Sequence, residues 1–184
     1  MAVRYNNLYV ISGISGSGKT TLGVELLKSF PECVHIDQDS FYLRLKPKIK
    51  LSNNVTVSNW DCLEALDPSF PDYLADVLKV TPVILTGFAL CLQVLPVVPK
   101  VHIHLVTSDT PERLEARCLN ARASAKTVNT DRDVLVVKEL VIPFYHQIVN
   151  DSDITHRINM YDEKGERVPI RWVSELAKKI IVGS

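Results

Sequence analysis

The chain has no surplus of charge. Its 184 residues carry 21 basic and 21 acidic side chains, a formal net charge of zero. A balanced chain exerts no long-range pull on nucleic acid or on an anionic membrane, so neither is expected as a partner and a small ligand is favoured. Cysteine is scarce: Cys33, Cys62, Cys91 and Cys118 stand far apart, with no C-x-x-C pair. That spacing argues against a zinc site and a disulfide framework, and fits reduced thiols. No apolar run is long enough to span a bilayer; the longest, Val83 to Val98, is interrupted by Thr86, Gly87, Gln93 and Pro96. Residues 1–7 lack the apolar core of a signal peptide. Internal repeats and low-complexity tracts are missing too. These absences lead to the expectation of a cytoplasmic protein with one domain over residues 1–184, monomeric or homodimeric.

What the chain does carry is a complete phosphate-loop motif. Gly13-Ile14-Ser15-Gly16-Ser17-Gly18-Lys19-Thr20 matches G-x-x-x-x-G-K-[ST]. The apolar segment Leu8–Ile11 before it reads as a buried strand, and residues 19–29 after it have helical spacing with a stop at Pro31. Glycines in such a turn let the amides from Gly13 through Ser15, Gly16, Ser17 and Gly18 to Thr21 converge on phosphate oxygens, and the helix N-terminus adds partial positive charge. Lys19 is expected at the β- and γ-phosphates and the Thr20 hydroxyl on Mg²⁺, so the implied ligand is Mg²⁺ with a nucleoside triphosphate.

Further strands are expected at Cys33–Ile36, Val83–Leu85 and Val101–Val106, separated by helices over 69–79, 111–122 and 133–149, with a last helix over Val173–Val182. Strands alternating with helices predict an α/β fold, a parallel sheet flanked by helices in three layers. The polar stretch 46–59 reads as a flap, about 43–60 in full, and the small polar stretch 123–132 as the centre of a lid over about 117–133. His102 and His104 share one face of their strand, expected near the sheet edge rather than as a metal pair. Asp162–Gly165 fits D-x-x-G but lies far from where a switch loop belongs, and reads as a hairpin turn.

The strand at 33–36 runs into His35-Ile36-Asp37-Gln38-Asp39-Ser40-Phe41-Tyr42. Its end places carboxylates at the carboxyl edge of the sheet, where ligands bind in open α/β folds. One carboxylate there can accept the proton of an attacking hydroxyl and help hold Mg²⁺. In extended chain Asp37 and Asp39 would point the same way.

Gly13–Thr21 together with Gln38-Asp39-Ser40-Phe41-Tyr42 resembles the uridine kinase and nicotinamide riboside kinase group of P-loop kinases, and Asn59-Trp60-Asp61-Cys62-Leu63-Glu64-Ala65-Leu66-Asp67 resembles the nicotinamide riboside kinases in particular. The resemblance implies a P-loop NTPase fold of the nucleoside and nucleotide kinase type with a small lid. It also implies transfer of the ATP γ-phosphoryl group to the 5′-hydroxyl of a ribonucleoside. Nicotinamide riboside is the first expectation and uridine or cytidine the second. On this reading Asp39 is the catalytic carboxylate and shares the metal with Thr20, Asp61 accepts from the ribose hydroxyls, Trp60 packs on the base, and Tyr42 lies on the substrate side. Arg117 is expected at the transferring phosphoryl group and the acceptor, Arg122 and Arg132 at ATP, and Arg113 on a solvated face.

The match fails at Val83-Ile84-Leu85-Thr86-Gly87. The family places Glu or Asp before that glycine; Thr86 cannot supply the negative charge, and Asp37 on the neighbouring strand is the candidate substitute. A nucleotide-binding protein with little or no kinase activity is therefore the rival reading from another class.

Overall fold

The computed structural model describes residues 5–107, 110–123 and 130–184. Residues 124–129, in the centre of the expected lid, lie outside them. Five strands form the main sheet: β1 (Leu8–Gly13), β2 (Val34–Asp37), β5 (Val83–Gly87), β6 (Val101–Val106) and β7 (His156–Asn159). They run in the order β2-β5-β1-β6-β7, every pair parallel. Both β1 and β5 are buried along their whole length, which is why they read as unbroken apolar runs rather than alternating ones. Leu8, Val10, Val83 and Leu85 project to one face, against α2 (Phe70–Val80) and α5 (Ile142–Asn150). Tyr9, Ile11 and Ile84 project to the other, against α1 (Lys19–Leu27) and α6 (Ile170–Gly183). Helices on both faces of a parallel sheet give the three-layer P-loop NTPase arrangement. Among the described residues no helix is long and apolar enough to cross a membrane.

Four features differ from the sequence expectations. The flap contains an antiparallel hairpin, β3 (Lys48–Lys50) with β4 (Thr56–Ser58), anchored by the buried side chains of Leu51 and Val57. Residues 133–149 are not one helix: α4 (Thr130–Val136) passes through a π turn (Val137–Val141) into α5. Pro143 has no N–H for the Glu139 carbonyl, so the ladder widens there. Strand β7 went unread because of its four residues only Ile158 is buried. Strand β6 is interior, flanked by β1 and β7, so His102 and His104 are not at the edge. Ser12 Oγ bonds both His102 Nε2 (2.7 Å) and His104 Nδ1 (2.9 Å), and His104 Nε2 continues to the Tyr145 hydroxyl (2.8 Å). Burial pushes both imidazoles down to about 4, so they are neutral at physiological pH.

Helix α1 packs close to the sheet because of Gly23. A Cβ there would stand 2.6 Å from Thr86 Cγ2 and 2.7 Å from His35 Nε2. Gly23→Ala is therefore expected to lower the unfolding free energy by about 1–2 kcal/mol, even though alanine favours helix by about 1 kcal/mol, because overpacking wins. Urea unfolding of the pair checks this; an alanine variant as stable as the parent would refute it.

Candidate active site

Strand β1 ends at Gly13, and the turn that follows holds Gly16 (φ +79°) and Gly18 (φ +95°) in the left-handed region that glycine alone enters freely. Gly18 is also the N-cap of α1 and offers no side chain to the first-turn amides, which leaves them to an incoming anion. Ser15, Thr20 and Thr21 are exposed at this turn, and Lys19 is buried. Ser17 is fully buried, and its hydroxyl has no hydrogen-bond partner among the described residues. Ala121 of α3 (Pro111–Ala123) lies directly over the loop, 2.6 Å from where a Cβ on Gly16 would be.

The carboxylates do not share one extended strand. β2 ends at Asp37, and the chain turns at once into a 3-10 turn over Gln38–Phe41. Asp37 caps that turn: its Oδ1 accepts from the Asp39 N–H (3.2 Å), and its Oδ2 accepts from the Thr20 hydroxyl (3.0 Å). The carboxylate against the loop threonine is thus that of Asp37, not of Asp39. Asp39 stands on the floor beyond, where partial burial raises its carboxyl, the Lys19 charge opposes that rise and Asp37 adds to it.

Backbone pairing draws the acceptor side together. The Leu43 N–H donates to Ala65 O (2.8 Å), the Asp67 N–H to Phe41 O (2.7 Å), and Tyr42 bridges to Leu66. Tyr42 consequently meets Trp60 edge to face, ring centroids 5.7 Å apart. Burial, then the charges of Asp39 and Asp61, push its phenol up. Asp61 is oriented by Asn59, whose Oδ1 accepts the Asp61 N–H (3.0 Å). Burial lifts its carboxyl to about 6, against the pull of Arg122. A cavity of about 440 Å³ opens beside it, lined among others by Glu64, Gln93, Glu139 and Gln147. Glu139, on the π turn, ties down the flap by accepting from the Ser52 N–H (3.0 Å) and from the Ser52 hydroxyl. The Lys46 ammonium sits 3.5 Å over the Trp60 ring, so the indole face already holds a cation.

On the β7 side of the loop lies a cavity of about 620 Å³ lined by Thr107, Arg113, Arg117, Asn159 and the 161–165 turn. The turn is the expected hairpin, with the Asp162 N–H donating to Glu166 O (2.9 Å). Here the arginine expectations change places. Arg117 stacks on Tyr161, 3.2 Å from the ring centroid, in the lining of this cavity. Arg122 is near enough to Asp61 for its charge to pull that carboxyl down, and it is not among the residues lining the β7-side cavity. Five residues on a helix correspond to about 140° of rotation, so the two cannot serve one side. Arg113 lines the cavity rather than a purely solvated face, and Arg132 is exposed on α4. Arg167 was not anticipated: its Nη2 donates to the Gly16 and Ser17 carbonyls (3.4 Å each), bracing the loop from outside. No local motif marks it; only the hairpin that returns it past Tyr161 does.

No profile of a known protein family matches the chain. Over 58 residues, 31% of the chain, it is 41% identical to nicotinamide riboside kinase 2 of Mus musculus, and the matched segment spans 28% of that protein. Among solved structures it resembles a shikimate kinase from Acinetobacter baumannii in complex with shikimate (TM-score 0.53, 12% identity, 97% of this chain and 94% of that one). It also resembles a sugar kinase from a Janibacter species (TM-score 0.51, 16% identity, 95% and 93%). At those identities the likeness is one of fold, and the fold is that of the P-loop kinases.

Two outcomes follow from the geometry. Arg167→Gln should weaken binding of a fluorescent ATP analogue about three- to tenfold, since each bond to the loop is worth roughly 1 kcal/mol; unchanged affinity would remove Arg167 from the loop's support. Asp61 holds its proton to about pH 6 in the folded chain, whereas an unfolded aspartate releases it near 3.8. The folded state thus binds more protons between those values, so stability should fall by about 1–2 kcal/mol as pH rises through that window. Asp61→Asn should flatten the fall in pH-dependent urea unfolding; an equal fall in the variant would place the cause elsewhere.

Proposed function

We propose that the chain transfers the γ-phosphoryl group of ATP to the 5′-hydroxyl of a ribonucleoside, nicotinamide riboside foremost. One observation supports this above the rest. Asp39 lies within reach of the Lys19 charge of the phosphate loop, Asp61 lines an open cavity, and the charges of both carboxylates act on the same phenol of Tyr42. A base near the phosphate and a second carboxylate farther out are what a ribose needs, with its 5′-hydroxyl directed at the γ-phosphate and its diol held behind. The partial identity to a nicotinamide riboside kinase favours that substrate within the class.

The loop amides and Lys19 hold the triphosphate, and the β7-side cavity takes the adenosine, whose base finds a flat partner in the stacked Arg117 and Tyr161. The oxygens of Thr20 and of the β2-end carboxylates are the hard donors that Mg²⁺ prefers, so the residues present fit that ion. When bound, it neutralises charge on the β- and γ-phosphates. The acceptor oxygen forms its bond to the γ-phosphorus as the bond to the β,γ-bridging oxygen breaks; Asp39 takes the hydroxyl proton, and ADP leaves. A carboxyl raised by burial is the better base for that task. Arg122, facing Asp61, steadies the acceptor side.

A second reading, nucleotide binding without useful turnover, draws on Thr86. That residue is fully buried, its hydroxyl bonded to His35 Nε2 (2.9 Å), where a carboxylate was expected.

ADP release from Mg-ATP, with nicotinamide riboside, uridine, cytidine, adenosine and pantothenate offered separately, decides between them. The expected result is strong stimulation by nicotinamide riboside, reduced roughly 10²- to 10⁴-fold in Asp39→Asn. Preference for uridine or cytidine would move the substrate within the class. No stimulation by any, with ATP still bound, would leave the second reading standing.

A further inference from the structure

We propose that Asp37 is the carboxylate of this chain's divalent-cation site, standing one strand away from the position that Thr86 leaves without charge. The inference rests on the nucleotide-binding part of the reading above. A P-loop site holds its cation by the loop Ser or Thr and by one acidic side chain at a neighbouring strand end.

Thr86, at the end of β5, cannot be that side chain. Its oxygen is neutral and turned to His35, and its methyl packs beneath α1 at Gly23. Asp37 is the register partner of Thr86 on β2, at the same level of the sheet and roughly 4.8 Å to the side.

Its carboxylate is already engaged with the loop. Oδ2 accepts a hydrogen bond from the Thr20 hydroxyl at 3.0 Å, which leaves that hydroxyl's lone pairs to face a cation. Oδ1 takes the Asp39 N–H, so capping the 3-10 turn fixes the carboxylate's orientation. The arrangement also separates two tasks. Asp37 serves the cation through Thr20, and Asp39, one turn on and next to Lys19, is left to the acceptor hydroxyl. A single carboxylate doing both would surrender its basicity to the metal.

The test is Mn²⁺ binding, read from the free-ion electron paramagnetic resonance signal of the full chain loaded with a non-hydrolysable ATP analogue. Asp37→Asn preserves shape and should weaken Mn²⁺ binding about 10- to 100-fold, the range seen when a supporting ligand of a metal site is lost. Affinity for the analogue without metal should stay within twofold or tighten, which a folding defect would not allow. Thr86→Ala should leave Mn²⁺ affinity within twofold. Wild-type Mn²⁺ affinity in Asp37→Asn would overturn the inference, as would a loss in Thr86→Ala equal to that in Asp37→Asn. So would a tenfold loss in Asp39→Asn with none in Asp37→Asn. The readout needs no acceptor: a chain that binds Mn²⁺ through Asp37 yet phosphorylates no ribonucleoside would sink the kinase reading and leave this one.

Discussion

The parallel register of β1, β5 and β2 is the constraint on which the site depends. Ile11 of β1 is opposite Thr86 of β5, and Thr86 is opposite Asp37 of β2, so the three strands end within two residues of one another at one edge of the sheet. A slip of one residue in β2 would turn Asp37 to the opposite face of the sheet, away from Thr20, and bring a neighbour in its place. Register in turn rests on apolar side chains that pack both faces at once. Val83 and Leu85 lock into the α2–α5 layer, while Ile84 locks into the α1–α6 layer. Because both faces are buried, neither can shift without exposing the other, and the polar residues at the strand ends inherit that rigidity.

Beneath the phosphate loop the polar groups are neutral rather than charged. His102, Ser12, His104 and Tyr145 form a buried chain just behind Gly13. Protonating either imidazole would bury a cation, and burial depresses both pKa values accordingly. The positive charge that a polyphosphate needs is therefore concentrated at Lys19 and at the loop amides, not spread through the core. Arg167 reaches the loop carbonyls from outside, on the side opposite to the amides, so its charge supports the loop without occupying the phosphate position.

Much of this was legible in the sequence, for identifiable reasons. The loop motif between an apolar run and a helical pattern is unusually specific, and β1 and β5 read as near-continuous apolar runs because both faces are covered. Asp39 and Asp61 could be singled out because their neighbours form recognisable segments. Legibility ended where geometry depended on partners distant in the chain. Helical spacing could not announce the π turn; it needs Pro143 to be weighed as a missing donor rather than as one more helical position. Strand β7 was hidden because an edge strand with a single buried residue has no periodicity to show. Residue type alone made Arg117 and Arg122 equivalent, and only the direction in which α3 crosses the loop distinguishes them.

Helix α3 crosses the phosphate loop at a single close contact. Ala121 sits at the contact with Gly16, where two small residues let helix and loop approach to van der Waals distance. Arg122, the next residue, is near enough for its charge to reach Asp61, while Arg117, about 140° around the helix, lies on Tyr161. One helix therefore carries the contact with Gly16, the cation stacked on Tyr161 and the charge that reaches Asp61, so the placement of all three is set by how α3 crosses the loop.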